Sequence, residues 1–200
     1  LPPYPEIAIG CGRQAIAPLR ALKKKCGAEI FTIYVQDPRI NPKHFDLVIA
    51  PRHDNLAGKN VVSILGSPNR ITNERLIVET LKFGDRLATL PAPRIAMLIG
   101  GKSKTHTLDA QSHAQHLSAA HTRLGQKLSL LITASRRTPD FVKKAYQELA
   151  SQKDGIWYWD GTGDNPYFAF LGASDAILVT KDSTNMLTEA CATGKPVFTL

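Results

Sequence analysis

Ala176-Ile177-Leu178-Val179-Thr180-Lys181-Asp182-Ser183-Thr184-Asn185-Met186-Leu187-Thr188-Glu189-Ala190-Cys191-Ala192-Thr193-Gly194-Lys195-Pro196-Val197-Phe198-Thr199-Leu200 reads as strand, polar turn, helix and strand. The run 176–180 is continuously apolar until Thr180, which fits a strand buried on both faces. Asp182, Ser183 and Thr184 suit the cap of a helix over 183–192, and Gly194-Lys195-Pro196 ends that helix and leads into the last strand. Such a unit belongs to a parallel sheet layered with helices. The rhythm extends back along the chain. Further β-rich apolar runs fall at 7–9, 30–35, 47–50, 61–65, 95–99, 128–133 and 156–159, and helical spacing appears at 14–25, 74–81, 108–124, 139–150 and 166–171. The predicted fold class is α/β, with doubly wound parallel sheets.

Leu90-Pro91-Ala92-Pro93-Arg94 interrupts the rhythm just before a new strand. Prolines favour extended chain and stop a preceding helix, so this stretch reads as a linker between domains 1–92 and 93–200. The chain opens almost directly on a strand and stops on one, so both domains are expected to be partial.

Composition narrows the class. With 200 residues, 43% hydrophobic and 21% charged, the chain can build a real core, which excludes disorder and coiled coil. The longest apolar runs fall far short of the ~18 residues that a membrane span needs. Three scattered cysteines (Cys11, Cys26, Cys191) suit neither a disulfide framework nor a zinc site. With no signal-peptide pattern at the start, a cytoplasmic location is expected. The net charge of +8 divides into 13 basic and 8 acidic side chains before Pro93, and 12 and 9 from Pro93 on, giving +5 and +3. Nucleic-acid binding would concentrate such charge into a stripe with aromatics, and only Lys23-Lys24-Lys25 approaches one; that triplet also suits a helix C-terminus. Nucleic acid is set aside, while small anions and an anionic membrane surface remain open.

Ligands of open α/β sheets sit at the carboxyl ends of strands, so the strand-to-helix turns are where chemistry is expected. Gly10-Cys11-Gly12-Arg13-Gln14-Ala15, with Asp37 further on, formally matches a dinucleotide fingerprint, and equally an ordinary glycine turn. Gly100-Gly101-Lys102-Ser103-Lys104 ends like a phosphate-binding loop, but Ala96 stands where its first glycine belongs, so a nucleoside triphosphatase is rejected. Backbone N–H groups and the two lysines there still suit an anion. Ser135-Arg136-Arg137 places paired arginines after a strand, apt for bidentate anion binding or simply exposed. Glu189, about a turn and a half into its helix, reads as an acceptor for two ribose hydroxyls or as a surface acid. His53 beside Asp54 reads as a general base or a loop histidine. His113 and His116 share a helix face and read as solvated rather than metal-binding; His106 and His121 lie nearby.

Six stretches in order carry a resemblance: Gly10–Arg13, Pro51-Arg52-His53-Asp54, Gly100–His106, Ser135–Pro139, Asp160-Gly161-Thr162-Gly163-Asp164-Asn165-Pro166 and Asp182–Asn185. Together they resemble the mitochondrial-fission "elongated mitochondria" family, of the GT-B glycosyltransferase-like superfamily. The resemblance implies two facing Rossmann-like domains with a nucleotide diphosphate sugar in the cleft between them. Glu189 would then hold the ribose, and Asp182, Ser183, Thr184 and Asn185 would face the diphosphate. Gly100, Gly101, Lys102, Ser103, Lys104, Ser135, Arg136 and Arg137 would line the same cleft, with Gly161, Thr162, Gly163, Asp164 and Asn165 near the base. No metal and no further cofactor is expected, and His53 with Asp54 is the candidate catalytic base. Two readings stay open: a glycosyltransferase, inverting or retaining, and a non-catalytic adaptor that recruits a dynamin-related protein to a membrane, the outer mitochondrial membrane for a plant member. A nicotinamide enzyme rests on Gly10–Ala15 alone.

Overall fold

The computed structural model describes residues 4–101 and 128–200. The predicted helix 108–124, with His106, His113, His116 and His121, lies outside the described residues, as do Lys102, Ser103 and Lys104. The chain divides into two compact units, Leu1–Pro68 and Asn69–Leu200. Each is an α/β unit built on one parallel sheet.

In the first unit, β1 (Ile7–Cys11), β2 (Phe31–Val35), β3 (Leu47–Pro51) and β4 (Val61–Ile64) lie side by side in sequence order, all parallel. Helix α1 (Arg13–Cys26) carries the chain from β1 to β2 and covers one face, where Leu19, Tyr34, Phe45, Val48 and Ala50 form the core. Tyr34 and Phe45 stack with ring centroids 5.0 Å apart. The later connections hold only short 3₁₀ turns, Pro42–His44 and Arg52–Asp54. Burial on both faces is not seen for this sheet: Ile7, Ile9, Phe31 and Val62, on the face away from α1, are exposed. At the amino ends of the strands, Asp46 accepts bonds from the Thr32 amide and hydroxyl (2.7 and 2.8 Å) and pairs with Lys23 at 2.7 Å. Burial alone would raise its pKa; the bonds from Lys23 and Thr32 outweigh that and hold the carboxyl below its ordinary value.

The second unit has β5 (Arg94–Ile99), β6 (Ser129–Ala134), β7 (Ile156–Trp159), β8 (Ala176–Val179) and β9 (Val197–Thr199), in the order β7-β6-β5-β8-β9 and wholly parallel. Numbered from β5, this is 3-2-1-4-5, the order of a doubly wound nucleotide-binding sheet through its fifth strand. Successive β5 residues feed two cores. Ala96 and Leu98 join Leu131, Trp157, Ile177 and Val179 beneath α2 (Asn73–Lys82), α3 (Gly84–Ala88), α5 (Tyr167–Ala173) and α6 (Thr184–Ala192). Met97 and Ile99 join Leu130 and Ile132 beneath α4 (Asp140–Gln152), through Val142, Tyr146 and Leu149. This is the two-sided burial that continuous apolar strands predict.

By packing, residues 69–92 go with the second unit, although the proline stretch 90–94 reads as a domain boundary in the sequence. The reason is α2, which lies against α5: a Cβ on Gly172 would meet the Thr80 hydroxyl and the Leu76 carbonyl, so glycine lets the two helices touch. Leu76 and Leu87 are buried in that same core. Arg94 ties the segment down further, donating to the carbonyls of Leu90 and Leu87 at 3.0 Å each. Among the described residues no helix is long and apolar enough to cross a membrane.

Candidate functional site

The strand order of the second unit reverses at β5, which has β6 on one side and β8 on the other. Ligands of such sheets bind outside the carboxyl ends of the strands at that point. Three of the predicted turns converge there. Gly100 and Gly101 follow β5, Ser135–Thr138 follow β6, and Thr180–Ser183 follow β8.

The turns are joined by specific bonds. The Gly100 amide donates to the Thr180 hydroxyl at 2.7 Å, and the Thr138 hydroxyl donates to the Gly100 carbonyl at 2.6 Å and to that of Ile99 at 3.2 Å. Ser135 Oγ lies 3.1 Å from the Thr138 hydroxyl and accepts from the Arg137 amide at 3.2 Å. Thr180 and Thr138 are buried. Both glycines are required by close approach. A Cβ on Gly100 would strike the Asp182 carboxylate, and one on Gly101 would lie 2.6 Å from Arg137 Cβ and 2.9 Å from its backbone. The paired glycines therefore let two neighbouring turns close onto the end of β5. Arg136 and Arg137 stay exposed beside them.

Asp182 lies against Gly100, and its Oδ1 is buried without a hydrogen-bond donor among the described residues. Ser183 occupies the cap position of α6, but its side chain makes no capping bond. Of the first α6 amides, Leu187 N–H reaches the Ser183 carbonyl at 3.0 Å, as any helix does. The expected cap is thus present by position and not by bonding, which leaves the N–H groups of the first turn without a side-chain acceptor.

Glu189 is half-buried on α6 and accepts a 2.6 Å bond from the hydroxyl of Tyr167, the first residue of α5. Burial, reinforced by this bond, pushes the Tyr167 pKa well above its ordinary value, so the phenol stays a donor. The loop before α5 folds on itself: the Thr162 amide and hydroxyl donate to Asp160 Oδ1 at 2.9 and 2.7 Å, and Trp159 Nε1 donates to the Thr162 carbonyl at 2.8 Å. Those Thr162 bonds hold the Asp160 carboxyl below its ordinary value. Gly161, Thr162, Gly163, Asp164 and Asn165 are all exposed, and Asn165 accepts from the Tyr167 amide at 2.9 Å. The loop is therefore anchored to Tyr167, the residue that also bonds Glu189.

In the first unit, His53 and Asp54 form a 3₁₀ turn directly after β3. Their Nε2 and Oδ1 atoms are 3.8 Å apart, longer than a hydrogen bond, and the histidine side chain is half exposed. The Gly10–Ala15 turn joins β1 to α1 as a plain glycine turn. Asp37, the acid that a dinucleotide would need, is engaged by Arg39, through its amide at 2.8 Å and its guanidinium at 3.0 Å. Among the described residues no cluster of three or more His, Cys, Asp or Glu is arranged to hold a metal ion.

Three participants are absent from the sequence reading: Thr138, Thr180 and Tyr167. Thr180 was legible as a hydroxyl directly after a strand, and Thr138 only as part of the 135–139 turn. Tyr167 lies 22 residues from Glu189, and no local spacing connects them.

A family model described as Mitochondrial fission ELM1 matches residues 1–200. The Mitochondrial fission protein ELM1 of Arabidopsis thaliana is 29% identical over 97% of this chain and 51% of its own length. An uncharacterised protein of Rickettsia prowazekii (strain Madrid E) is 25% identical over 97% of the chain and 64% of its own. The chain thus spans about half to two thirds of the curated relatives it matches. Among solved structures, a putative UDP-N-acetylglucosamine 2-epimerase from Listeria monocytogenes matches with TM-score 0.66 and 13% identity, over 98% of this chain and 57% of that one. The UDP-GlcNAc 2-epimerase of Neisseria meningitidis bound to UDP-GlcNAc matches with TM-score 0.61 and 15% identity, over 98% and 59%. At these identities the likeness establishes the fold: two Rossmann-like α/β units of the GT-B kind.

Proposed function

The chain belongs to the mitochondrial fission ELM1 family, and from that premise we propose that its second unit binds a nucleotide diphosphate sugar at the carboxyl ends of β5, β6 and β8. The observation that carries this reading is the convergence of the 100–101, 135–138 and 180–183 turns where the strand order reverses. The first-turn amides of α6 and the Arg136 and Arg137 guanidiniums supply donors for a diphosphate. Asp182 opposes an anion, and two arginines with Lys181 at the same carboxyl end of the sheet outweigh its single charge. In this reading Glu189, held by Tyr167, accepts from ribose hydroxyls, and the 161–165 loop, bonded to Tyr167 through Asn165, serves the base. Support comes also from the solved structures of similar fold, among them one holding UDP-GlcNAc and one holding UDP and glucose.

The reaction class this fits is glycosyl transfer without a metal. A base takes the proton of an acceptor hydroxyl, the acceptor oxygen bonds to the sugar's anomeric carbon, and the nucleoside diphosphate leaves. His53 with Asp54 is the proposed base. Calorimetry with uridine, guanosine and adenosine diphosphates tests the binding step. One of them should bind, with affinity falling about tenfold or more in Arg136→Gln/Arg137→Gln, as expected on losing charge-assisted bonds of ~1.5–3 kcal/mol. Binding by none of the three would sink the reading.

A second reading, an adaptor that recruits a dynamin-related protein to an anionic membrane, draws on the family's fission role and on Glu189 already being engaged by Tyr167. Pull-down of such a partner by the Glu189→Ala chain as efficiently as by wild type, with no nucleotide bound by either, would favour it over the transferase.

A further inference from the structure

The amino ends of the first unit's strands, opposite the end where sheets of this kind hold nucleotides, carry a recess of about 400 Å³ lined by Arg20, Ala21, Lys23, Lys24, Lys43 and His44. Its charge comes from two places in the chain. Arg20 and Lys24 stand four apart on α1 and share a face, while Lys43 and His44 belong to the 3₁₀ turn Pro42–His44 after β2. Among the described residues, only one of the four Lys and Arg side chains is paired with a carboxylate. Lys23 pairs with Asp46 at 2.7 Å and donates to the Ile30 carbonyl at 2.9 Å. Among the described residues, Arg20, Lys24 and Lys43 have no carboxylate partner. The negative end of the α1 dipole amounts to about half a charge, less than these three cations carry. Lys25, the remaining lysine of the triplet, turns elsewhere, 5.0 Å from the Tyr4 ring centroid. An open basic recess without aromatics suits a compact anion better than a stacked base.

We propose that this recess binds a phosphate group, with Arg20 and Lys24 on one wall and Lys43 on the other, and with Lys23 held in register by Asp46. A lipid headgroup and a free phosphorylated ligand present the same chemistry. The assignment is independent of the nucleotide reading, which concerns the second unit.

The test uses the whole 200-residue chain with two probes: sedimentation with phosphatidylcholine vesicles containing phosphatidic acid, against phosphatidylcholine alone, and calorimetry with inorganic pyrophosphate. Arg20→Gln/Lys24→Gln and Lys43→Gln are compared with Lys143→Gln/Lys144→Gln, which removes the same two charges as the double variant from the second unit. All are surface changes, and circular dichroism checks that the fold is kept. Affinity for at least one probe should fall about fivefold for each recess charge removed, and should weaken as salt shortens the screening length from ~10 Å at 0.1 M to ~3 Å at 1 M. Binding to vesicles alone identifies a headgroup; pyrophosphate binding that competes with vesicles identifies a free phosphate. Binding of neither probe by the wild-type chain overturns the proposal, and so does an equal loss in the Lys143→Gln/Lys144→Gln control.

Discussion

At Gly100 the backbone is pinned from three sides: its amide donates to Thr180, its carbonyl accepts from Thr138, and the Asp182 carboxylate lies where a Cβ would be. Adding even a methyl there displaces the Asp182 carboxylate, and overpacking of this kind costs ~1–3 kcal/mol. Gly100→Ala should therefore lower the urea midpoint by that equivalent, with an unchanged slope. Thr180→Val, which keeps the shape and removes the hydroxyl, leaves a buried amide unpaired, at ~1–3 kcal/mol. Tyr167→Phe is a different kind of change. It removes the donor to Glu189 while leaving the ring packed, so stability should change by only ~1 kcal/mol. If Glu189 serves a nucleotide as proposed, the affinity measured by calorimetry should move more than the melting temperature does.

Among the elements, the contact of α2 with α5 depends on the absence of a single side-chain atom at Gly172. Gly172 packs directly against Leu76 and Thr80, and Lys195 donates to the Leu171 and Gly172 carbonyls at 2.6 and 2.7 Å. Burial lowers the Lys195 pKa from its ordinary value, and the nearby Asp175 carboxylate offsets part of that shift. Lys195→Met should cost ~1–3 kcal/mol by stranding two helix-end acceptors, and should raise hydrogen exchange in 73–82 before it does so in β5. In the first unit, the Asp46–Lys23 pair ties α1 to the start of β3, and the Thr32 bonds to Asp46 tie in β2 as well. Because the Asp46 pKa is lowered in the fold, its contribution is present above the unfolded carboxylate value near 3.9 and is lost as pH falls through the lower folded value. Asp46→Asn should therefore narrow the difference in stability between pH 6 and pH 3. An unchanged pH profile in thermal melts would refute this.

Over the whole molecule, the division at Pro68/Asn69 makes a prediction about fragments. A fragment 69–200 retains α2 and α3 and should unfold cooperatively. A fragment 93–200, cut where the prolines suggest a boundary, uncovers Trp157, Phe170 and Leu171. Leaving several such side chains exposed forfeits ~1.5–3 kcal/mol each against a total stability of only ~5–15 kcal/mol, so dispersed amide resonances are expected from the longer fragment and not from the shorter. Much of this architecture was legible in advance: every strand of both sheets lies within two residues of a predicted apolar run, because burial of a strand is written in consecutive residues. Helix α3 was not, since five residues after Phe83 hold too few periods to register. The turns of the candidate site were likewise legible, as glycines, hydroxyls and arginines following strands. Their joining was not. Thr138 reaches Gly100 across 38 residues and Gly100 reaches Thr180 across 80, distances that depend on strand order and leave no mark on local spacing. The basic recess is similar: Lys23-Lys24-Lys25 was visible as a run, yet Arg20 and Lys43 joined it and Lys25 left it only once α1 had packed on its sheet. The sequence by itself determined the alternation of strands and helices, because each element's periodicity is a local demand of burial. Only the tertiary structure decided which turns meet and which charges stay unpaired, because those follow from the order β7-β6-β5-β8-β9 and from helix packing, which are set by the whole core at once.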